Sequence, residues 1–381
     1  MREEMLLYLE SCREELKQLI RDLCAIPAPS HKEENRAAFC KAWFEKNGGQ
    51  GVYIDEALNV ICPYGVTETG PLTVFMAHTD TVFPDLEPMP FAEDEDTFRC
   101  PAVCDDTANL AVLMICARYF IQRNIPGKTG LLFVANSCEE GLGNLKGSRA
   151  LAKAYGDRIT GWISFDGMSL NRVVNRAVGS HRYQVTVRTE GGHSFGAFGN
   201  RNAIAVLSSM ISTFYTVKVP QEGNSRTTYN VGTISGGTSV NTIAQEAQML
   251  FEYRSDNRNC LEKMQRLFEK VIEAYRATGV EIDVELVGDR PCAGNVDPQA
   301  QQALEELAEK SILNVTGSDT VYSSGSTDCN IPLSLGIPSV CLSAVEGKGA
   351  HTRGEVLYLR SLVPGSRLCM EFLSNFFAVG E

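Results

Sequence analysis

The sequence lacks any apolar run long enough to cross a membrane. A transmembrane helix needs about 20 consecutive apolar residues, and the best candidate, residues 110–115, is short and soon followed by Arg118. The N-terminal segment also lacks the basic region and apolar core of a secretory signal, because acidic residues occupy those positions. We therefore expect a cytoplasmic protein that has no membrane partner.

Basic residues are scarce relative to acidic ones. The chain has 35 Lys and Arg against 47 Asp and Glu, which gives a formal net charge of −12. Such a chain repels phosphate backbones on average, and it carries no basic stripe that would offset this repulsion. We therefore expect no nucleic-acid partner. Much of the acidic excess is typical of a solvated surface, but part of it could consist of carboxylates gathered around cations.

Paired cysteines are also missing. The 13 cysteines are odd in number and scattered, without the framework of a disulfide-rich secreted protein. Cys100 and Cys104 are four residues apart, but no second close pair completes the pattern of a structural zinc site. Reduced thiols in the cytoplasm are therefore the simpler interpretation.

Apolar segments that alternate with helical patterns predict the fold class. The clearest segments are residues 72–77, 130–135, 162–165 and 338–342. Solidly apolar strands are typical of a parallel sheet that helices cover on both faces. From about residue 180 the strands alternate apolar and polar residues, in the order β-α-β-β-α-β of a ferredoxin-like unit. The sequence thus predicts an α/β domain with a mostly parallel central sheet over 1–179 and 294–381, and an inserted α+β domain over 180–293.

Helices are predicted at both ends of the chain. Apolar residues at helical spacing predict one N-terminal amphipathic helix, which ends before Pro27 and Pro29. A similar pattern predicts a final helix near 357–377.

Polar residues stand where the predicted strands end. His78 and Asp80 follow the strand near 72–77 and, two residues apart, they project to the same side of an extended chain. A carboxylate in that position could accept the second ring N–H of a metal-bound imidazole. The pattern is short, however, and His78 on its own could simply cap a strand.

Five further acidic residues occupy similar places. Asp105 and Asp106 come directly before a predicted helix, where one aspartate suffices as the N-cap and the other stays free as a ligand. Glu139 and Glu140, and then Asp166, each follow a buried apolar strand. An acidic loop in water is the alternative interpretation of the glutamate pair.

His351 adds a second imidazole in a loop after the last predicted strand. Nitrogen and oxygen ligands without thiolate suit zinc, and manganese or cobalt would also accept them. Two imidazoles and several carboxylates are too many ligands for one tetrahedral catalytic ion that keeps a position open. They fit two ions that share a bridging carboxylate.

Nine short motifs lie along the chain. They are FMAHTDTV, CDDTANL, NSCEEGLG, SFDG, GGHS, GGTSVNTIA, FEYRSDN, SSGSTDCN and AHTRGE. In this order they resemble the dinuclear-zinc peptidase family that includes peptidase T, carboxypeptidase G, aminoacylase and succinyl-diaminopimelate desuccinylase. Each motif alone is unspecific, but the combined set is highly specific and covers nearly the whole chain. The glycine-rich and GSTD segments are most similar to the peptidase T-like branch.

The resemblance implies a centre of two zinc ions, with manganese or cobalt as further options. The implied ligands are His78, Asp105, Glu140, Asp166 and His351. His78 and Asp166 would hold one ion, Glu140 and His351 would hold the other, and Asp105 would bridge them.

The resemblance also implies roles for neighbouring residues. Asp80 would orient His78, and the peptide bond that follows Asp105 would be cis. Glu139 would be the general base, which takes a proton from a water activated by the two metals and delivers it to the leaving amine. His193 would stabilise the tetrahedral oxyanion.

The inserted domain would form the interface of a homodimer, and His193 would reach the active site of the partner subunit. From the residues alone, His193 could equally be an ordinary loop histidine. The implied substrate contacts are Asn241, Arg254, Ser326 and Thr327. Among these, Arg254 is suited to a bidentate grip on a carboxylate.

The chain departs from the family pattern beside the bridging aspartate. Thr107 stands where lysine is usual, and Cys104 stands where a small residue is usual. We expect Cys104 to be an inert apolar group rather than a thiolate ligand. Neither change removes a ligand or the base, so an active enzyme is still implied. His31 and His181 match no motif, and surface or structural roles are expected for them.

The implied activity is hydrolysis of an amide bond in short peptides, as a di- or tripeptidase or another exopeptidase such as an aminopeptidase. One alternative is an amidohydrolase that acts on N-acyl amino acids, because only pocket contacts separate the two substrate classes. A second alternative is a catalytically inactive binding homologue, which the complete set of implied ligands disfavours. The residues leave open which end of a peptide is cut.

Overall fold

A computed structural model of the protein describes residues 2–378, which form two compact units. The first unit runs to Ala177 and resumes at Gly294, and the second consists of Val178–Ala293. The strands are β1 (Tyr53–Ile54), β2 (Val60–Tyr64), β3 (Leu72–His78), β4 (Ala92–Glu93), β5 (Thr97–Arg99), β6 (Gly130–Asn136), β7 (Ile159–Phe165), β8 (Arg172–Ala177), β9 (Gly179–Arg188), β10 (Gly192–His193), β11 (Thr227–Gly236), β12 (Thr242–Ile243), β13 (Glu246–Ser255), β14 (Glu281–Arg290), β15 (Val321–Gly325), β16 (Ser339–Leu342), β17 (Gly347–Lys348) and β18 (Val356–Tyr358).

The helices follow the apolar periodicity of the sequence. They are α1 (Glu3–Ser11), α2 (Arg13–Cys24), α3 (Glu34–Lys46), α4 (Asn109–Gln122), α5 (Lys146–Tyr155), α6 (Ala203–Phe214), α7 (Arg258–Arg276), α8 (Pro298–Thr316), α9 (Asn330–Ser334) and α10 (Leu362–Ser374). In α7, for example, Leu261, Met264 and Phe268 recur on one buried face. Within residues 2–378, no helix combines the length and the apolar character needed to cross a bilayer.

The first unit is built on an eight-stranded sheet in the order β1-β2-β6-β3-β7-β16-β8-β15. Its central strands β6, β3, β7 and β16 run parallel to one another. Every residue of β3 and β6 is buried, as expected for strands that are covered on both faces. The prediction of an α/β domain with a mostly parallel central sheet is confirmed.

Helix α4 lies in the core of this unit. All of its residues from Asn109 to Ile121 are buried, and the apolar ones belong to the same cluster as side chains of β3, β6 and α10. The helix follows directly after an irregular turn, Val103–Ala108. Because close packing holds α4 in place, it also fixes the position of this turn.

The second unit is a four-stranded antiparallel sheet in the order β11-β13-β9-β14. Residues of β13 alternate between buried and less buried positions, and the buried apolar ones pack with α6 and α7 in a second apolar cluster. The main elements follow one another as β-α-β-β-α-β, which confirms the predicted α+β ferredoxin-like character.

Three features differ from the sequence-based predictions. The predicted N-terminal helix is two helices, α1 and α2, because the chain turns at Cys12. The predicted final helix begins only at Leu362, because β18 occupies the preceding segment and pairs with β5. Strands β8 and β15 were not predicted, and they form one edge of the large sheet.

Candidate active site

Three neighbouring parallel strands bring most of the candidate site together. His78 is the last residue of β3, and Asp166 follows directly after β7. Glu139 and Glu140 come shortly after β6, whose last residue, Asn136, pairs with His78. Because parallel strands end at the same edge of a sheet, these side chains converge, as the sequence predicted.

Two segments from elsewhere in the first unit complete the cluster. The turn Val103–Ala108 carries Asp105 and Asp106. The peptide bond between these two residues is cis, which confirms the expectation drawn from the resemblance. His351 lies in the loop between β17 and β18, with a φ of 60°.

Asp105 lies between the two histidines. Its Oδ1 is 3.0 Å from His78 Nε2, and its Oδ2 is 3.1 Å from His351 Nε2. The same nitrogen of His351 is 3.3 Å from Glu140 Oε1. One carboxylate therefore directs one oxygen to each imidazole, which is the arrangement that a bridging ligand requires.

The candidate ligand atoms form three overlapping groups, each with its atoms within 4.8 Å of one another. The groups are His78–Asp105–Asp166, His78–Glu139–Glu140 and Asp105–Glu140–His351. The first and third share Asp105. The second places Glu139, the predicted base, beside members of both other groups.

Burial dominates the electrostatics of three carboxylates in the cluster. It raises the pKa of Asp166 well above its usual value, and the charge of Asp105 adds to the effect. Burial also raises the pKa of Glu140 to about 7. Burial also raises the pKa of Asp106 well above its usual value. The Oδ1 atom of Asp106 has no hydrogen-bond partner among the described residues. Crowded, buried carboxylates of this kind are stabilised when a cation lies between them.

The two imidazoles respond to these carboxylates. Burial alone would lower the pKa of His78, but Asp106, Asp105 and Asp80 raise it well above its usual value. Hydrogen bonds that His351 donates to Asp105 and Glu140 raise its pKa to about 10. Groups that attract protons this strongly also attract a divalent cation, which competes for the same lone pairs.

The donor set fits divalent cations. Imidazole nitrogens and carboxylate oxygens, without thiolate, suit zinc, manganese and cobalt. Cys104 does not alter this set, because its thiol donates a hydrogen bond to the carbonyl of Val356 at 3.4 Å. Burial also raises the pKa of this thiol well above its usual value.

Asp80 has more contacts than the sequence predicted. His78 Nδ1 lies 3.0 Å from its backbone oxygen and 3.5 Å from its carboxylate. The carboxylate also accepts the backbone N–H groups of Glu139 and Glu140, both at 2.9 Å. Ser30 donates to it at 2.6 Å. Asp80 therefore connects the end of β3 to the segment that carries both glutamates.

Glu355 was missed by the sequence analysis. Its buried carboxylate accepts the backbone N–H groups of Cys104 at 2.7 Å, Asp105 at 3.0 Å and Ala102 at 3.1 Å. These three hydrogen bonds hold the turn that presents Asp105. The available signal was its place four residues after His351, in the motif AHTRGE.

Asp328 anchors the loop that contains Ser326 and Thr327. The sequence analysis did not single out this residue either. The Asp328 carboxylate accepts hydrogen bonds from Asn136 at 2.6 Å and from Ser148 at 2.5 Å. Thr327 is buried, and its hydroxyl accepts the backbone N–H of Cys329 at 3.2 Å. The Thr327 hydroxyl thus has a partner within its own loop, and the substrate roles of Ser326 and Thr327 stay predictions.

The other three predicted residues lie in the second unit. His193 lies in β10 and is exposed. Ser194, which follows His193, donates its backbone N–H to the carbonyl of Asn241 at 3.0 Å. Arg254 donates two hydrogen bonds, at 2.8 and 3.0 Å, to the carboxylate of Glu252. His193 and Asn241 are thus close in space, and the roles of all three residues stay predictions.

The fold and the cluster define a class of protein. Histidines and carboxylates gathered at the carboxyl edge of a parallel sheet, with one glutamate beside the candidate ligands, are the components of a metal-dependent hydrolase. The model of peptidase family M20/M25/M40 matches residues 74–375. The chain therefore belongs to this family of metallopeptidases, and it is an enzyme.

Individual relatives span nearly the full chain. The Bacillus subtilis protein YqjE, described as uncharacterized, is 24% identical over 385 residues, which cover 94% of this chain and 98% of YqjE. A tripeptidase of Staphylococcus aureus has a similar structure, with a TM-score of 0.76 at 22% identity and coverage of 96% of this chain and 98% of that one. YXEP of Bacillus subtilis, described as a dinuclear metal binding peptidase, gives a TM-score of 0.65 at 17% identity and covers 95% and 98%.

Proposed function

We propose that this protein hydrolyses an amide bond in short peptides, as a di- or tripeptidase or another exopeptidase. The observation that carries the proposal is the position of Asp105 between His78 and His351, with Glu139 alongside. Membership of the peptidase family supports it, and so does the similarity to a tripeptidase structure.

The proposed metal ligands are those that the family resemblance implies, and the groups of neighbouring ligand atoms support them. His78 and Asp166 would hold one ion, Glu140 and His351 would hold the second, and Asp105 would bridge them. We propose zinc as the metal, with manganese or cobalt as substitutes, because the donors are nitrogen and oxygen. When bound, two such ions supply Lewis acidity, which polarises an amide carbonyl and makes a nearby water more acidic.

Glu139 is the proposed general base. It is 5% exposed, it lies beside His78 and Glu140, and its backbone N–H is held by Asp80. Its carboxylate would accept the proton of the attacking water and then deliver it to the leaving amine. Glu140 also lies 3.3 Å from His351, in a group of ligand atoms that does not include Glu139, so Glu140 would serve as ligand while Glu139 would transfer the proton.

The substrate class can be tested with matched peptide pairs. We expect the purified protein, supplied with zinc, manganese or cobalt, to cleave di- and tripeptides with a free amine at least about tenfold faster than their N-acetylated counterparts. Chromatography with mass detection of the products would also show which end of a tripeptide is removed. Faster cleavage of the acylated members would support the amidohydrolase alternative. Two bound metals without hydrolysis of either set would contradict the proposal and indicate a binding homologue.

The second unit is proposed as the dimerisation domain. Its edge strand β11 has ten residues, and most of them are exposed. Ile234 on this strand and Val240 just beyond it are 53% and 101% exposed. A long edge strand with apolar side chains favours pairing with the same strand of a second copy of the chain. A homodimer would cover this edge.

His193 is proposed to act in the partner subunit's active site, and mixing two inactive variants would test this. Glu139→Gln removes the proposed general base, and His193→Ala removes the proposed oxyanion stabiliser. The homodimer of either variant should therefore be nearly inactive. In a mixed dimer, one of the two sites would combine an intact Glu139 with an intact His193. We expect co-refolded subunits to recover about a quarter of wild-type activity, because random pairing makes half of the dimers mixed. Activity no higher than that of the separate variants, or a monomer by light scattering, would contradict the proposal.

The remaining proposals concern substrate contacts and location. Asn241, Arg254, Ser326 and Thr327 are proposed to contact the peptide, with Arg254 exchanging its Glu252 partner for a substrate carboxylate. The protein is proposed to be cytoplasmic, which is supported by its 13 free and buried cysteines.

A further inference from the structure

Two buried carboxylates hold three consecutive backbone N–H groups at the candidate site. Asp80 accepts the N–H groups of Glu139 and Glu140. Glu33, from the segment before α3, accepts the N–H group of Cys138 at 3.1 Å. The backbone that leads into the proposed base is therefore fixed at every residue from 138 to 140.

Cys138 is the residue in this segment that most needs such support. Its φ is +57°, in the left-handed region that residues other than glycine seldom adopt. Its thiol donates a second hydrogen bond to the same Glu33 oxygen at 3.2 Å. The ring Nδ1 of His31, which matched no motif, lies 3.4 Å from the same sulfur. Both polar groups of Cys138 that can donate a hydrogen bond are thus bound by Glu33.

Glu33 itself occupies a costly position. Its side chain is fully buried, and its second oxygen, Oε2, has no hydrogen-bond partner among the described residues. Burial raises the pKa of this carboxyl group, and the nearby charge of Asp80 raises it further. A buried carboxylate with an unused oxygen does not improve stability on its own account, so its presence indicates a requirement of the site.

We propose that Glu33 is a positioning residue for Glu139, which acts by holding Cys138 in its left-handed conformation. The inference rests on the proposed role of Glu139 as general base. Because Cys138 directly precedes Glu139, a change in its backbone angles would rotate the base away from the reacting atoms. A displacement of about 1 Å in a catalytic group can cost about 100-fold in rate.

Two conservative substitutions separate positioning from a simple charge effect. Glu33→Gln keeps the length and one acceptor oxygen but removes the charge. Glu33→Asp keeps the charge but shortens the side chain, so that it no longer reaches the Cys138 N–H. Glu34→Ala is the matched control, because Glu34 is the exposed neighbour of Glu33.

The expected result is a difference between the two variants in kcat on a peptide that the wild type cleaves. Glu33→Asp should lower kcat by about 10- to 100-fold, with KM within about twofold of wild type and the metal content unchanged by mass spectrometry. Glu33→Gln and Glu34→Ala should stay within about threefold of wild type. Loss of activity in Glu33→Gln with retention in Glu33→Asp would overturn the proposal, as would a loss of kcat that merely follows a loss of bound metal.

Hydrogen–deuterium exchange gives a readout that does not depend on activity. Amides of the segment around Cys138–Glu140 should exchange faster in Glu33→Asp than in Glu33→Gln, and faster than in wild type. If the wild type cleaved no peptide, the proposed function would fail while the exchange pattern would still decide the positioning role. Equal exchange in all four proteins would overturn that role even in an active enzyme.

Discussion

Glu139→Gln should lower kcat for peptide hydrolysis by about 10²- to 10⁴-fold while the protein keeps its full metal content. The amide is nearly the same size as the carboxylate but cannot accept the proton of the attacking water, and general-base catalysis typically contributes a factor of this size. The backbone contact to Asp80 uses the N–H group of residue 139, so the substitution leaves it in place. Steady-state kinetics and inductively coupled plasma mass spectrometry on the same preparation would measure both quantities.

The neighbouring glutamate offers a matched comparison. Glu140→Gln should lose one of the two metal ions, because Glu140 lies 3.3 Å from His351 and belongs to the group of atoms around that imidazole. Glu56→Gln, at an exposed position, should behave as wild type. If Glu139→Gln retained activity, or if it lost metal as Glu140→Gln is expected to do, the division of roles between the two glutamates would be wrong.

Asp105→Asn should weaken the binding of both metal ions at once. One carboxylate contacts both His78 and His351, at 3.0 and 3.1 Å, so removal of its charge affects both groups of ligands. A neutral amide is a much poorer ligand than a carboxylate for these ions. We expect the affinity for each ion to fall by about 100-fold or more. Substitution of a residue that merely orients a metal ligand already lowers metal affinity by about 10- to 100-fold. Competition titration with a chelating dye would measure this loss.

Asp166→Asn provides the contrast for this experiment. Asp166 belongs to only one group of ligand atoms. Its substitution should therefore weaken the binding of one ion and leave the other ion bound. Asp157→Asn, at an exposed aspartate, should leave both ions bound. Loss of a single ion from Asp105→Asn would contradict its role as the bridge.

Local patterns predicted the strands that matter most to the site. Strands β3, β6 and β7 are solidly apolar and end in polar residues, so both their positions and their common edge could be inferred. Strands β8 and β15 could not, because they are only partly buried and mix polar with apolar residues. The pairing of β18 with β5 was hidden because its three apolar residues are equally compatible with a helix.

The residues that support the site could not be predicted from the sequence. Glu355 is 251 residues from Cys104, Asp328 is 192 residues from Asn136, and Glu33 is 105 residues from Cys138. No periodicity or short motif connects partners at such separations. Asp328 and Glu355 lie in the motifs SSGSTDCN and AHTRGE, but only the fold shows that these two acids and Glu33 are buried and which backbone or side-chain groups they hold.

The sequence by itself determined the fold class, the order of most of the elements and the set of ionisable residues from which a metal site could be made. These follow from periodicity and from residue type, which act over a few neighbouring positions. The tertiary structure decided which oxygen faces which imidazole, and which buried carboxylates hold the backbone of the site. Those contacts depend on packing between segments far apart in the chain, and packing is settled only when the whole core is formed.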